Sequence, residues 1–419
     1  MHVSRRRFLG AASGAATLTA LNQRGAAQKP VSSDADPLGV RGDFPALRDY
    51  TFLNTAYIGL IAKPVADAGR AWLEARTARP FEVGAMLAKS DEARHRFAQL
   101  VGAIDDEIGL LFSTTEGENV VVDALEFKAG DNVVIDDLAY PSTAIIHRRL
   151  QETKGVELRI VPHRAGAVDV HDVERLVGNR TKLISVAWVS NLNGFRHDMR
   201  PLADLAHAHG AYLYTDAIQA IGTAPLDVRA AGVDFLCCGS YKWLMAGFGV
   251  APFYVRRELL DRVSPDRVGW HVEKNLGRYQ YQHFKNGKKF EYASLAFGEV
   301  YQLAAALAYL NDIGLERIDQ HTATLVNQLR TGLTDRGFRI FTPAGVRSSI
   351  LSFYIDQPTD AAARALDAAS VKVSVQSGDR TDTDDGAGGS VNRVRVAVSF
   401  FNNGPDIDRM LAASERLKA

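Results

Sequence analysis

The chain has 419 residues, of which 46% are hydrophobic, so it is long enough to form a large core and about two domains. Lysine and arginine together number 49, as do aspartate and glutamate, which gives a formal net charge of zero. This balance argues against a nucleic-acid partner and against a membrane-surface partner.

The N-terminus has the pattern of an export signal. Arg5 and Arg6 precede an alanine-rich run of weak hydrophobicity, and small residues at 25–27 suit a cleavage site. The pattern is similar to a twin-arginine signal, which we expect to occupy residues 1–27 and to direct the folded protein to the periplasm or outside the cell. The alternative is a basic N-terminal tail. The apolar run is shorter than the ~20 residues that cross a bilayer, so the mature form is expected to have no membrane association.

Beyond a polar arm or linker at 28–50, strands and helices alternate. Short apolar runs typical of buried strands are separated by helical stretches, which favours a mostly parallel sheet covered on both faces. The predicted strands are EIGLLF (107–112), NVVID (132–136), TKLISVAWV (181–189), AYLYTD (211–216) and DFLCCG (234–239). Ligands of such sheets bind beyond the carboxyl ends of the strands, so we expect the functional residues there.

The first of these strands ends in a run of hydroxyl side chains. Thr114 and Thr115 stand where the strand ends and a helix is predicted to begin. Hydroxyls and free backbone N–H groups at a helix N-terminus are typical of a phosphate site. The alternative is a capping box made by Thr115 and Glu118, which have the required spacing.

Polar or aromatic residues follow the next three strands. Tyr140 offers a flat ring for stacking or forms only a Tyr-Pro turn. Asn191 is either a hydrogen-bond donor or a turn-forming residue. Asp216 ends an apolar strand, where it is either a functional carboxylate or the N-cap of a helix over AIQAI.

Lys242 follows the last predicted strand, between small and apolar residues. A lysine and an aspartate at strand ends suit pyridoxal phosphate, since the lysine forms a Schiff base and the aspartate keeps the pyridine nitrogen protonated. The alternative for Lys242 is a lysine whose stem is buried and whose ammonium reaches solvent.

The C-terminal part predicts a second domain. Residues 295–311 predict a long apolar helix, and the helices and strands after it suggest an α+β unit. We place the large domain at 51–298 and the small domain at 299–419. The acidic, glycine-rich segment 377–390 is either a solvated insertion or a lid over the substrate.

Several motifs, in their order along the chain, resemble those of the class V aminotransferase family of pyridoxal phosphate enzymes, which includes cysteine desulfurases, kynureninases and isopenicillin N epimerase-like proteins. The motifs are FLNTAYIG with Asn54, Thr114-Thr115-Glu116, Tyr140, Asn191, Asp216 with Gln219, Ser240-Tyr241-Lys242, KFEYAS with Ser294, and RVRVAVSFFNN with Arg395. The resemblance covers nearly the whole chain after the export signal. It implies the α/β fold type I, with a mostly parallel sheet in the large domain and a smaller C-terminal α+β domain.

The resemblance also implies a role for each matched residue. Lys242 would form the Schiff base and carry the proton at Cα, and Asp216 would pair with the pyridine nitrogen. Arg395 would bind the substrate α-carboxylate, for which a planar bidentate donor is suited, and Asn54 is assigned to the substrate as well. The remaining cofactor-binding residues implied are Thr114, Thr115 and Tyr241 for the phosphate, Tyr140 for ring stacking, Asn191 and Gln219 for the ring hydroxyl, and Ser294 for the phosphate of the neighbouring subunit. The last assignment implies a homodimer.

The departures from the family pattern narrow the expected chemistry. Desulfurases carry a catalytic cysteine in the loop before the terminal strands, and that loop has none here. Cys237 and Cys238 are predicted to pack as small apolar residues, so desulfuration through a persulfide is not expected. His207 and His209, two residues apart on a predicted helix, point to different faces, so no metal site is expected there.

The sequence therefore predicts an exported enzyme that acts on the amino group or Cα of an amino acid or an amino-acid-derived substrate. Transamination is the first expectation. Epimerisation and kynureninase-like or C–S lyase chemistry are the alternatives, because they use the same anchoring residues. A non-catalytic binding protein with the same fold is the alternative from another class.

Overall fold

The computed structural model describes residues 35–271, 273–379 and 390–418. The predicted export signal and most of the acidic segment 377–390 lie outside these residues. Within the described ranges, none of the helices combines the length and the apolar character that crossing a bilayer requires.

Within the described residues the chain forms eleven α-helices and fourteen strands. The helices are α1 (Lys63–Ala78), α2 (Val83–Val101), α3 (Thr114–Ala124), α4 (Pro141–Lys154), α5 (Val170–Glu174), α6 (Met199–Ala208), α7 (Val228–Ala231), α8 (Phe297–Ile313), α9 (Leu315–Asp335), α10 (Thr359–Asp367) and α11 (Gly404–Ser414). The strands are β1 (Thr51–Phe52), β2 (Ile108–Leu111), β3 (Asn132–Asp136), β4 (Glu157–Val161), β5 (Thr181–Ala187), β6 (Tyr212–Asp216), β7 (Phe235–Cys237), β8 (Ala251–Val255), β9 (Lys274–Gly277), β10 (Gln280–Gln282), β11 (Ile350–Ile355), β12 (Val371–Lys372), β13 (Ser374–Asp379) and β14 (Ser390–Ala397).

The central sheet has seven strands in the order β2-β8-β7-β6-β5-β3-β4. Strand β8 is antiparallel to both of its neighbours, and the other adjacent pairs are parallel. The five strands predicted from the apolar runs are present, and the predicted α/β class with a mostly parallel sheet is confirmed. Strands β4 and β8 lie outside the predicted set.

Alternate residues of the central strands pack into two different cores. Val133 and Ile135 of β3 belong to a cluster that includes the inner face of α3, whereas Val134 belongs to the cluster formed with α2, α6 and α8 on the other face. Cys237 and Cys238 follow the same rule, one in each cluster, and both thiols are free and buried. Their predicted packing as small apolar residues is confirmed.

The C-terminal part contains a second, antiparallel sheet in the order β11-β14-β13. Its core includes residues of α9, α10 and α11, and Leu53 from the N-terminal part also packs there. The N–H of Ala397 donates to the carbonyl of Leu53 at 2.8 Å, which ties the segment after β1 to the end of β14. The domain boundaries at residues 51, 298 and 299 stay a prediction.

Candidate active site

Most of the predicted site residues lie just beyond the carboxyl ends of parallel strands. Thr114 follows β2, Tyr140 follows β3 and Asn191 follows β5. Asp216 is the last residue of β6, and Lys242 lies in the turn after β7. Because β2, β7, β6, β5 and β3 run in one direction, their carboxyl ends meet at one edge of the sheet, which is where a doubly wound fold binds its ligand.

Lys242 is buried, with 7% of its surface exposed, so it is not a surface lysine. Among the described residues, no hydrogen bond or ion pair partner contacts its Nζ; instead the amine lies 5.9 Å from the ring centroid of Tyr140 and 5.7 Å from that of Tyr241. Burial lowers the pKa of Lys242 to about 8, with Asp216 opposing the shift and Arg395 adding to it. The amine is therefore neutral far more often at pH 7 than an ordinary lysine.

Asp216 is held by a turn rather than by a helix. Its Oδ1 accepts a hydrogen bond from the N–H of Ile218 at 2.9 Å, and the residues that follow form turns, so the predicted helix N-cap is wrong. Burial raises the pKa of Asp216 to about 6, although the Ile218 N–H and the charge of Lys242 lower it. A cationic ring nitrogen next to this carboxylate would favour its ionised form.

Two tyrosine rings lie beside the lysine amine. Tyr140 is the N-cap residue of α4 and its ring is exposed, so one face is available for stacking. The ring of Tyr241 stacks on Phe248, with centroids 4.2 Å apart. Burial raises the pKa of Tyr241 to about 12, so its hydroxyl is a hydrogen-bond donor at neutral pH.

The N-terminus of α3 forms the proposed phosphate cradle. Ser113 is its N-cap and accepts from the N–H of Glu116 at 3.1 Å, so the capping box predicted for Thr115 and Glu118 is wrong. The hydroxyl of Thr114 accepts from the N–H of Gly239 at 2.8 Å, which joins this helix to the lysine turn. The first N–H groups of an α-helix have no acceptor within the helix, and they suit a phosphate.

Arg395 supplies a buried cation with no carboxylate partner among the described residues. One of its terminal nitrogens donates to the carbonyl of Asn191 at 2.8 Å, and its Nε has no partner in that part of the chain. Burial, and then the charge of Arg393, lower the pKa of Arg395 to about 10. The side-chain oxygens of Asn54 and Asn191 are also buried without a hydrogen-bond partner among the described residues. A carboxylate ligand would satisfy the guanidinium.

Gln219 is buried next to the lysine turn, whereas Ser294 lies at the surface. The amide of Gln219 donates to the carbonyl of Ala56 at 2.9 Å and accepts from Trp243 Nε1 at 2.8 Å, so it ties the segment after β1 to the lysine turn. Ser294 is exposed and lines a cavity of about 700 Å³ together with Thr115.

Two residues of the site have no role in the sequence predictions. The N–H of Gly59 donates to the carbonyl of Tyr241 at 2.9 Å, and a Cβ at this position would lie 2.0 Å from the carbonyl oxygen of Lys242. Its only signal is its place in the FLNTAYIG motif. The sequence predicts Glu118 only as half of a capping box, whereas in the structure its carboxylate accepts hydrogen bonds from Thr143 and Ser185.

The donor set as a whole fits pyridoxal phosphate. It combines a buried amine that is partly neutral, a carboxylate at the next strand end, an exposed aromatic ring and a helix N-terminus. Arg395 adds a buried cation that suits a carboxylate.

Known proteins of this type match over most of the chain. The profile of the family described as aminotransferase class-V matches residues 77–410. An uncharacterized aminotransferase, YcbU, of Bacillus subtilis is 28% identical over 302 residues, which is 72% of this chain and 80% of the relative. A probable cysteine desulfurase of Methanothermobacter thermautotrophicus is 30% identical over 324 residues, which is 76% of this chain and 81% of the relative.

A solved structure has the same fold. The apo cysteine desulfurase from Thermococcus onnurineus NA1 superposes with a TM-score of 0.83 at 25% identity, covering 92% of this chain and 99% of that one. The chain therefore belongs to the class-V aminotransferase family of pyridoxal phosphate enzymes.

Proposed function

We propose that this protein acts on the amino group and Cα of an amino acid or an amino-acid-derived substrate, with transamination as its reaction. The observation that carries the proposal is the pairing of Lys242 with Arg395 in one site. A buried guanidinium without an acidic partner among the described residues suits a carboxylate, and a partly neutral lysine suits an amine exchange.

Pyridoxal phosphate, when bound, supplies an aldehyde that captures amines and a ring that accepts electrons from Cα. Lys242 would hold the cofactor through its aldehyde and, as a neutral amine, would move a proton at Cα. Asp216 would accept a hydrogen bond from the protonated ring nitrogen. Arg395 holds the α-carboxylate, which orients Cα toward the amine of Lys242.

The positions of the two cysteines disfavour the persulfide chemistry of a desulfurase. Cys237 and Cys238 are the only cysteines in the chain, and both are buried in or directly after β7. Burial raises the pKa of both thiols, which suppresses the thiolate that would take up sulfur. Epimerisation and lyase reactions use the same anchoring residues and remain the alternatives, together with a non-catalytic binding protein.

A two-substrate comparison tests the proposal. Apo-protein is loaded with pyridoxal phosphate, and its conversion to the pyridoxamine form is measured over a panel of amino acids, which release keto acids, each paired with the amine that lacks its α-carboxylate, which releases an aldehyde. We expect Arg395→Gln to raise the half-saturating concentration of this half-reaction at least tenfold for the amino acids and to leave it unchanged for the amines, since a hydrogen bond to a charged group contributes ~1.5–3 kcal/mol. Lys242→Ala should abolish turnover and covalent attachment of the cofactor.

Two results would contradict the proposal. If the loaded protein eliminates sulfide from cysteine, with pyruvate and ammonia as the other products, and no member of the panel converts the cofactor to its pyridoxamine form, the reaction is a lyase reaction. If it binds cofactor but no member of the panel alters the absorption spectrum, the binding-protein alternative holds.

We also propose that the protein is exported by the twin-arginine route. The support is the Arg5-Arg6 pair with the weakly apolar run behind it. Replacing both arginines with lysine should retain the precursor in the cytoplasm, which cell fractionation measures. An unchanged periplasmic yield would refute the export proposal without affecting the proposed chemistry.

A further inference from the structure

A buried carboxylate lies beneath the cofactor site, and the proposed mechanism does not use it. Glu118 is on α3, one turn after Thr114 and Thr115, and only 2% of its surface is exposed. Removing a carboxylate from water is costly unless several hydrogen bonds compensate for the lost hydration.

Those hydrogen bonds come from two other elements. Oε1 of Glu118 accepts from Ser185 Oγ at 2.6 Å and lies 3.0 Å from Nε2 of His147. Oε2 accepts from Thr143 Oγ1 at 2.9 Å. Ser185 is on β5, and Thr143 and His147 are one turn apart on α4, so a single carboxylate joins α3, α4 and β5.

Each of these three elements presents a residue to the cofactor site. The first turn of α3 holds Thr114 and Thr115, Tyr140 is the N-cap residue of α4, and β5 leads to Asn191. The N–H of Thr143 donates to the carbonyl of Tyr140 at 3.0 Å, so the carboxylate contacts the turn of helix that starts at the stacking ring. A shift of any one element would change the distances between these groups.

The charge of this network also reaches the site. Nδ1 of His147 is buried without a partner among the described residues, so a neutral ring that donates from Nε2 avoids a buried unpaired N–H. The network then carries one negative charge. The titratable groups that face it are His147, Tyr214 and Asp216, and its charge raises the pKa values of Tyr214 and Asp216.

We propose that Glu118 is a positioning residue, which fixes the phosphate cradle, the stacking ring and the Asn191 strand relative to one another and places a negative charge beneath the ring end of the cofactor site. This inference rests on the proposed function, since it concerns how the same site holds pyridoxal phosphate.

The test compares Glu118→Gln with Glu107→Gln. Glu107 is a matched control: it is also 2% exposed, and it accepts from the N–H groups of Ile104 and Arg257 at the amino end of β2, the opposite end of that strand from Thr114. Three quantities are measured: the unfolding temperature of the apo-protein, the Kd for pyridoxal phosphate, and the pH midpoint of the visible absorption band of the bound cofactor.

We expect both variants to lower the unfolding temperature. Only Glu118→Gln should also weaken cofactor binding, by about tenfold, because three site elements lose a shared charged acceptor. It should also move the band midpoint to lower pH, because less negative charge remains to stabilise the protonated cofactor. A Kd and a midpoint that both match those of Glu107→Gln would overturn the inference.

Ser185→Ala keeps the proposal testable if Glu118→Gln does not fold. It frees β5 from the carboxylate but keeps the charge, so we expect a Kd roughly two- to fivefold higher with an unchanged band midpoint. An unchanged Kd would overturn the positioning role. Failure of the unmodified protein to bind pyridoxal phosphate would instead remove the proposed function, so the two failures are distinguishable.

Discussion

Lys242 and Lys289 are equally buried but differ in their hydrogen bonding. Both are 7% exposed. The ammonium of Lys289 donates to the carbonyls of Leu260 and Val263, whereas among the described residues the amine of Lys242 has no hydrogen-bond acceptor. The difference separates a structural lysine from one that is kept available for chemistry, at a cost in the stability of the apo-protein.

This difference predicts opposite effects of the same substitution. In the apo-protein, Lys242→Met should raise the free energy of unfolding by about 1–2 kcal/mol, because methionine needs no hydrogen bonds in that environment. Lys289→Met should lower it by ~1–3 kcal/mol, because two buried carbonyls lose their donor. Urea denaturation measures both values. A loss of stability in Lys242→Met as large as in Lys289→Met would contradict the assignment.

The lowered pKa of Lys242 predicts how cofactor uptake depends on pH. The neutral amine is the nucleophile, so the rate at which apo-protein attaches pyridoxal phosphate should rise with pH and level off above about 8, the pKa of Lys242. Arg395→Gln removes a positive charge that lowers this pKa, so the midpoint should move to higher pH. Stopped-flow absorbance measures the rate, with N-α-acetyl-lysine as the control for the cofactor's own titration. A midpoint that Arg395→Gln leaves unchanged would contradict the claim that the charge of Arg395 lowers the pKa of Lys242.

At the scale of elements, the site depends on a close approach between the segment after β1 and the lysine turn. Gly59 lies against the main chain of Lys242, and Gln219 bridges Ala56 to Trp243. The same N-terminal segment pairs with β14 through Asn54 and Ala397. It therefore connects the lysine turn to the strand that carries Arg395.

Gly59→Ala tests this connection. The added methyl group would lie 2.0 Å from the carbonyl oxygen of Lys242, so the main chain must move. We expect a loss of ~1–3 kcal/mol in stability and weaker binding of pyridoxal phosphate. Gly84→Ala is the matched control, since nothing lies within 4 Å of its Cβ position on α2, and it should be neutral or stabilising by up to about 1 kcal/mol. Unfolding curves and a cofactor titration distinguish the two, and equal behaviour would refute the close approach.

At the scale of the whole molecule, we propose that the protein is a homodimer with shared sites. Phe112, Phe248 and Trp270 expose 58–68% of their surface, and a partner subunit would cover this apolar surface. Phe112 lies on the same cavity as Ser294 and Thr115. A contact of Ser294 with the cofactor of its own subunit is therefore the alternative to the proposed contact with the partner's cofactor.

A mixed dimer decides between the two contacts. One subunit carries Lys242→Ala and the other Ser294→Ala, and different tags allow their purification together. Its one competent lysine is then served by an intact Ser294 from the other chain, so this site should retain pyridoxal phosphate as the unmodified protein does. Dialysis followed by absorbance measures the retention. Loss of cofactor as fast as in the Ser294→Ala homodimer would show that Ser294 acts within its own subunit. A monomer in analytical ultracentrifugation would contradict the proposal of a shared site.

The fold class, the cofactor and the order of the site residues can be predicted from patterns along the chain. Strands β3, β5 and β6 are rich in apolar residues and largely buried because a parallel sheet is covered on both faces, and that pattern is local. Asp216 ends β6 and Lys242 lies in the turn after β7, so their places near the sheet edge follow from the chain alone. The antiparallel direction of β8 has no such local signal.

The electrostatics of the site and its supporting contacts depend on packing between residues that are distant in the chain. The pKa of Lys242 depends on burial and on Arg395, which is remote in sequence, and Arg395 is oriented by the carbonyl of Asn191, 204 residues away. The choice of Ser113 over Thr115 as the N-cap, and the contacts of Glu118 with α4 and β5, likewise depend on how elements pack. Desolvation and hydrogen bonding depend on neighbours in space, whereas the periodicity of apolar residues depends on neighbours in the chain.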